Sequence, residues 1–365
     1  MDLGGHFLDD ESQQLSDRKD HPVRCRTKAA GGDAMSSQFG MRACARLIVL
    51  TVLGILIAGM GVSNAQTKYP DKPVRIILPY GPGGVADVTM RLVAQKLSEK
   101  LGQNFFIDNR PGAGGIIAAK AAIAAPPDGY TLTVSGNAMA ISETLFKSLP
   151  FNPLKDFTSI SMLAEFEMLL ATKTDSQIDS VAKLVAYAKA NPGKMNFGTI
   201  ATGSTQNLSA EMFRMITGAK ATIVTFRATP EMVSAIIRGD IDVGFDYYAA
   251  MRPLIVGKQI KIIATSGEHP DPALSGVPTV MASGYPDYVV TSWNALSAPA
   301  GTPKDIVTKL NEEIVTVLKM PEIKSRMAEL GMEPMIGPPE RLTARMKSET
   351  AKWAKVIEAA GIPKQ

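Results

Sequence analysis

From Tyr69 onward, short apolar and β-branched runs alternate with stretches whose apolar residues recur every three or four positions. Runs of the first kind suit strands, and stretches of the second kind suit helices that lay one face on a sheet. Residues 74–79 read as a strand, and 85–101 as a helix with Val88, Leu92, Val93, Leu97 and Leu101 on one side. Residues 105–108 read as a second strand, 116–125 as an alanine-rich helix stopped by Pro126 and Pro127, and 130–135 as a third strand. That β-α-β-α-β rhythm predicts a parallel sheet with helices on its faces. A second series follows, with helices over 181–190, 208–216, 231–238 and 249–256 and strands over 195–199, 221–226, 241–245 and 260–265. The stretches 161–172 and 288–297 stand between the two series as crossover strands. The chain ends in helices over 303–319, 321–330 and 339–360, the last with Leu342, Met346, Trp353, Ile357 and Ala360 as a stripe expected to pack on the first lobe. The pattern predicts an α/β fold of two lobes, each a sheet flanked by helices, joined by two crossover strands. Lobe 1 is expected over 66–165 and 293–365, and lobe 2 over 166–292.

Ahead of these elements, residues 47–62 are sixteen almost unbroken apolar positions, preceded by Arg42 and Arg46 and followed by Ser63-Asn64-Ala65. A basic start, a short apolar stretch and a small-x-small ending have the form of a secretory signal peptide, and sixteen residues fall short of the roughly 20 that span a bilayer. The signal is expected over 41–65 with cleavage after Ala65. Residues 1–40 are polar and without periodicity, which predicts a disordered leader or a start codon placed too early, with Met1, Met35 and Met41 as candidate starts. The expected location is a bacterial periplasm, where a large enough core stands without disulfides.

Composition narrows the function. The chain has 39 Lys and Arg against 35 Asp and Glu, a net +4, too mild a balance for a nucleic-acid binder. Cys25, Cys44, His6 and His21 all precede residue 65, which leaves His269 alone beyond it. A disulfide scaffold, a cysteine nucleophile and a Cys/His zinc site are therefore excluded from the lobes. His269 lies in Gly267-Glu268-His269-Pro270-Asp271 with no nucleophile pattern, Gly-x-Ser-x-Gly occurs nowhere, and the carboxylates lack the spacing of a calcium loop. No catalytic set, metal or cofactor is expected.

Ligands of open α/β sheets bind beyond the carboxyl ends of the strands, so the strand-to-helix loops carry the chemistry. The first is Pro79-Tyr80-Gly81-Pro82-Gly83-Gly84-Val85-Ala86-Asp87. Its glycines either fit a tight turn or let a ligand approach the free N–H groups of a helix start. Gly81-x-Gly83-x-x-Ala86, with Asp108 ending the next strand, nominally fits a dinucleotide fingerprint; Pro82 inside the turn and the lack of nicotinamide outside the cell set that reading aside. Asn109-Arg110-Pro111-Gly112-Ala113-Gly114-Gly115 reads as a structural turn. Asn137, before Ala138, could donate into the cleft or satisfy its own turn. In Ala201-Thr202-Gly203-Ser204-Thr205-Gln206-Asn207, Ser204 or Thr205 could cap a helix or face a carboxylate. Arg227 could pair with a carboxylate or lie on the surface, and Tyr247 and Tyr248, after Asp246, could line the ligand or belong to the core.

These loops, in this order, resemble the solute receptors of tripartite tricarboxylate transporters, the Bordetella uptake gene proteins. The resemblance runs from Tyr69-Pro70-Asp71-Lys72-Pro73-Val74-Arg75 to Trp353-Ala354-Lys355-Val356. It includes the 109–115 turn, Pro127-Asp128-Gly129-Tyr130-Thr131, Pro278-Thr279-Val280, Ala298-Pro299-Ala300-Gly301-Thr302-Pro303 and Ala328-Glu329-Leu330-Gly331. It implies a two-lobed, type II-like periplasmic binding fold that closes on small carboxylates, with loops 80–87 and 203–207 gripping the ligand through backbone amides and bridging water. The chain departs from the family pattern at Tyr80-Gly81-Pro82, where the family usually has Phe and two less flexible residues. It departs again at Phe226-Arg227-Ala228, in place of Tyr, a basic residue and Gly, and at Tyr247-Tyr248, in place of Asn and a small or aliphatic run.

The expected ligand-binding residues are Tyr80, Gly83, Gly84, Val85, Ala86, Asp87, Asn137 and Ala138 from the first lobe. From the second they are Gly203, Ser204, Thr205, Gln206, Arg227, Asp246 and Tyr247. Asp87→Ala and Ser204→Ala are expected to weaken binding with little loss of folding. Four charge-assisted hydrogen bonds and two helix ends supply about 7 to 14 kcal/mol before costs, against about 8 net for a micromolar constant. The expected protein is a periplasmic receptor, a monomer, that passes a dicarboxylate, tricarboxylate or aromatic acid to integral-membrane permease subunits. A ligand sensor for a membrane kinase is the alternative; an exported enzyme would need His269 buried beside a nucleophile.

Overall fold

The computed structural model describes residues 69–271 and 274–365. The expected leader and signal peptide lie outside the described residues. The first three strands, β1 (Val74–Leu78), β2 (Phe105–Asn109) and β3 (Thr131–Gly136), alternate with α1 (Val85–Leu101) and α2 (Ile116–Ile123). They pair in parallel in the order β2-β1-β3. The central strand, Val-Arg-Ile-Ile-Leu, needs apolar residues on both faces because helices cover both. Arg75 is its one charge, and it reaches Asp108 on β2. After β3 the chain turns at once into α3 (Asn137–Leu145), a helix the apolar pattern does not announce, and then into β4 (Phe157–Lys173).

The second series is α4 (Val181–Ala190), β5 (Met195–Ile200), α5 (Thr205–Thr217), β6 (Ala221–Phe226), α6 (Thr229–Arg238), β7 (Val243–Tyr247), α7 (Tyr248–Val256) and β8 (Ile260–Thr265). Here β5 pairs in parallel with β6 and β7. The chain returns through β9 (Thr291–Pro299) and closes with α8 (Lys304–Lys319), α9 (Pro321–Ala328), a short β10 (Met332–Pro334) and α10 (Pro339–Ala359).

Strand β4 belongs to both sheets. Its first part, Phe157 to Glu167, runs antiparallel to β9, which in turn pairs with β3. From Met168 it pairs instead with β7 and β8. The two sheets therefore exchange partners between Glu167 and Met168, with register slips to either side of that point, against β9 at Ser159–Ser161 and Met162–Ala164 and against β8 at Leu170–Ala171. The hand-over brings the carboxyl ends of β1 and β3 towards those of β5 and β7.

The two largest of four apolar cores among the described residues hold most of these layers. In the first, Ile76, Leu78, Leu132 and Val134 pack with Met90, Val93 and Leu97 of α1 and Leu310, Ile314 and Val317 of α8. In the second, Phe197, Phe213, Phe245 and Tyr288 meet ring on ring at centroid distances of 5.2 to 5.8 Å, the tilted and edge-on geometry aromatic quadrupoles favour. The stripe on α10 is buried at Leu342, Met346, Trp353 and Ile357, but it lies in this second core as well as against α3 of the first sheet. The stripe expected to pack on the first lobe thus also enters the second core. Arg345 ties it to the junction, donating to Glu165 on β4 at 2.9 Å and to Thr291 on β9.

Candidate functional site

The loop after β1 is organised by Asp87. Its carboxylate accepts from the Gly83 N–H at 3.0 Å, Arg91 at 2.8 and 3.0 Å and Asn109 Nδ2 at 2.9 Å. Burial alone would raise its pKa, yet these donors outweigh it and hold Asp87 at about 2. All its acceptor capacity is spent inside the loop, so Asp87 positions the turn that starts α1. That helix has no side-chain cap, which leaves its first N–H groups open at its positive end. Asn109 also donates to the Tyr80 carbonyl at 3.0 Å, so the second Gly-rich turn braces the first. Asp108, the acid of the dinucleotide fingerprint, is engaged by Arg75 and Arg110.

The loop after β5 is closed in a similar way. Ser204 caps α5 by accepting from Asn207 N at 3.1 Å and donating to the Ile200 carbonyl at 2.7 Å, while Asn207 Oδ1 accepts from Gly203 N at 2.9 Å. Gly203 has φ +80°, and a Cβ there would lie 2.5 Å from Leu145 Cδ2 of α3. Glycine is thus required both by the backbone and by close approach of the two series. Asp246, at the end of β7, is 1% exposed. It accepts from Gln206 Nε2 at 3.0 Å, from Tyr247 N at 2.8 Å and from the Thr229 hydroxyl. Burial raises its pKa against these donors. Asp246 thereby ties together the starts of α5, α6 and α7.

Between the two loops lies a cluster of neutral groups. Burial pushes the Tyr80 phenol up to about 12. Burial raises Tyr247 further, opposed by the Ser292 and Thr205 side chains that its hydroxyl faces, with Tyr80 close by. Tyr247 also packs edge-on against Phe166 of β4 at 4.9 Å. Gly136 allows this convergence, since a Cβ there would meet the Trp293 carbonyl at 2.8 Å, with the Tyr80 hydroxyl 3.6 Å and Asn294 Oδ1 4.0 Å away. Ser292 and Asn294 alternate with Trp293 along β9 and so share a face. Among the described residues no lysine or arginine is buried. The cluster can donate hydrogen bonds to an anion at neutral pH, but it cannot neutralise one with a side-chain cation. Behind Tyr80 a small recess is lined by Gly136, Ala138, Gly115, Ala118 and Phe151.

Residues 89–362 match the family model described as the tripartite tricarboxylate transporter family receptor. The chain belongs to this family. It is 31% identical over 318 residues to protein BugT of Bordetella pertussis, covering 86% of this chain and 97% of that one. It is 34% identical over 328 residues to a protein encoded between ttuE and ttuC' in Agrobacterium vitis, covering 89% and 93%. Among solved structures it is similar to Rpa4515 of Rhodopseudomonas palustris with adipate, at 34% identity and TM-score 0.73, covering 80% of this chain and 98% of that one. MatC of Rhodopseudomonas palustris with bound malate is 28% identical with TM-score 0.68, covering 79% and 100%. The chain is thus a solute-binding receptor of this family with the two-lobed fold of these neighbours.

Within the receptor, the expected site residues fall into three groups. Tyr80, Thr205 and Tyr247 meet at the junction, and Asn137 opens α3, its Nδ2 donating to the Thr291 carbonyl at 3.0 Å. Gly83, Gly84, Val85, Ala86, Gly203, Ser204 and Gln206 form the two loop ends, with Asp87 and Asp246 as their internal braces. Arg227 is exposed, and its backbone N–H donates to Glu231 at 3.3 Å. Tyr248 packs on Gly331, and His269 is exposed on its loop. Sequence reasoning missed Ser292 and Asn294, whose only signal was two polar side chains on one face of an otherwise apolar crossover strand.

Proposed function

We propose that the receptor binds a small carboxylate, a dicarboxylate, tricarboxylate or aromatic acid, where lobe 1 (66–165 and 293–365) faces lobe 2 (166–292). It then delivers the ligand, as a monomer in the periplasm, to permease subunits of the tripartite tricarboxylate type. The observation that carries this reading is the convergence of neutral donors and two helix starts, at α1 and α5, on one junction with no buried cation. Such a site suits an anion whose charge is met by hydrogen bonds and helix dipoles. The adipate and malate held by two neighbours support the ligand class.

The test is thermal melting of the receptor, stripped of bound ligand, against mono-, di-, tricarboxylic and aromatic acids. A ligand at 100 times its dissociation constant adds about 2.7 kcal/mol to stability. A shift confined to one acid class supports the reading and names the class; no shift with any acid refutes it.

A further inference from the structure

We propose that Tyr248 is a positioning residue for ligand binding: seated on Gly331, its ring fixes the separation of the two sheets, and with it that of the helix starts at α1 and α5, without touching the ligand. The binding part of this inference rests on the carboxylate reading; the geometric part does not. Tyr248 opens α7, directly after β7 of the second sheet. Gly331 lies between α9 and β10, and β10 pairs with the first-sheet part of β4. A Cβ at Gly331 would lie 2.8 Å from Tyr248 Cδ1, 2.9 Å from its Cβ and 3.1 Å from its Cγ. No side-chain carbon fits in that gap, so the tyrosine is set down on bare backbone. Gly331 also has φ +67°, which glycine adopts without steric cost.

The seat is placed where it bears on the junction. Tyr247 packs edge-on against Phe166 at 4.9 Å, and Phe166 is the register partner of Met332, the residue after Gly331. Two successive rings from the second sheet thus dock on one step of the first. That step adjoins the Glu167–Met168 point where β4 changes sheets, so a rotation about that point moves Tyr248 relative to Gly331. The contact continues to both helix starts. On the first side, Met332 Sδ accepts from the hydroxyl of Thr89, in α1, at 3.1 Å. On the second, Tyr248 packs on the cluster that includes Met232, Ile236 and Met251, and Asp246, two residues earlier, accepts from Gln206 of α5 at 3.0 Å. A receptor whose two helix starts stand at gripping distance in only a fraction of its molecules loses apparent affinity by that fraction.

Tyr248→Ala and Tyr248→Phe test the inference in the chain stripped of bound ligand, by small-angle X-ray scattering and by isothermal titration with succinate, adipate, malate and citrate. Tyr248→Ala is expected to raise the ligand-free radius of gyration and to weaken every acid that binds the unaltered receptor by one common factor, about tenfold or more. Tyr248→Phe keeps the Cβ, Cγ and Cδ1 contact and should match the unaltered receptor in both measurements. Gly331→Ala displaces the ring from the other side and should reproduce the Tyr248→Ala result; it decides where Tyr248→Ala does not fold. A lower melting temperature with unchanged affinity and radius makes Tyr248 a core residue only and overturns the proposal. Unequal losses among the acids, or a phenylalanine variant as weak as the alanine one, overturn it too, because the side chain would then meet the ligand itself. If no acid binds the unaltered receptor, the carboxylate reading fails and the scattering alone decides: an increased radius upholds the seat and an unchanged one refutes it.

Discussion

Replacing Glu167 by glutamine should stabilise the receptor at pH 7 to 8 and change nothing near pH 4. Glu167 is the last residue of β4 before the strand changes sheets. Its carboxylate accepts from Gly267 N at 3.2 Å. Burial, reinforced by the charges of Asp271 and Glu165, nevertheless lifts its pKa from the ordinary 4.5 to about 6. The sign follows from linkage. Between those two values the folded chain keeps a proton that the unfolded chain has lost, so stability falls as pH rises through the interval and stays lowered above it. The full displacement corresponds to about 2 kcal/mol, and partial exposure to solvent reduces this to about 1 kcal/mol. Glutamine keeps an acceptor for the Gly267 N–H and never ionises, so it escapes the loss. Melting of both proteins from pH 4 to 8 should show curves that coincide at the acid end and separate above pH 6, by roughly 2 °C for a chain of this size. A constant offset at all pH values, or no gain at pH 8, would refute the electrostatic account of this residue.

Other substitutions address the loops. Ser204→Ala removes the cap of α5 and should lower stability by about 0.5 to 2 kcal/mol in urea unfolding. Asp87→Ala removes the acceptor shared by the Gly83 N–H, Arg91 and Asn109 and should cost about 0.5 to 1.5 kcal/mol in the same assay; the expectation that these two changes spare folding is revised accordingly. Gly203→Ala should destabilise by about 1 to 3 kcal/mol through its positive φ and its clash with Leu145, and Leu145→Ala in the same chain should relieve only the clash, a coupling that a double-mutant cycle in urea measures.

The regular part of the fold was legible because each buried strand and its covering helix announce themselves locally. The apolar run before Pro79 and the spacing of Val93 and Leu97 needed no distant partner to interpret. Helix α3 was not legible: it begins at Gly136-Asn137 with no side-chain cap, so its start carries the chemistry of a turn. The length of β4 was hidden because it changes neighbours midway, which breaks any single periodicity. In the site, sequence pointed to the loops as places but not to the division of labour within them. Asp87 and Ser204 have residue types that could face a ligand, and only the geometry shows their atoms already engaged. Asn294 was beyond reach for the opposite reason, since its significance comes from pairing with Gly136, 158 positions away.

That division bears on how the proposed carboxylate would be held without a buried cation. A guanidinium sealed in the junction would be stabilised by the ligand and strongly penalised without it, because an unpaired buried charge costs several kcal/mol. Phenols, hydroxyls and amides lose far less when the site is empty, about 1 to 3 kcal/mol for each unmet partner. The acids that must remain charged, Asp87 and Asp108, are instead paired with arginines inside the first series, where their compensation does not depend on ligand. The receptor can therefore persist in both the loaded and the empty state, as a protein that repeatedly collects and surrenders its solute must. The discrimination this arrangement loses by having no cation it recovers through the placement of neutral partners.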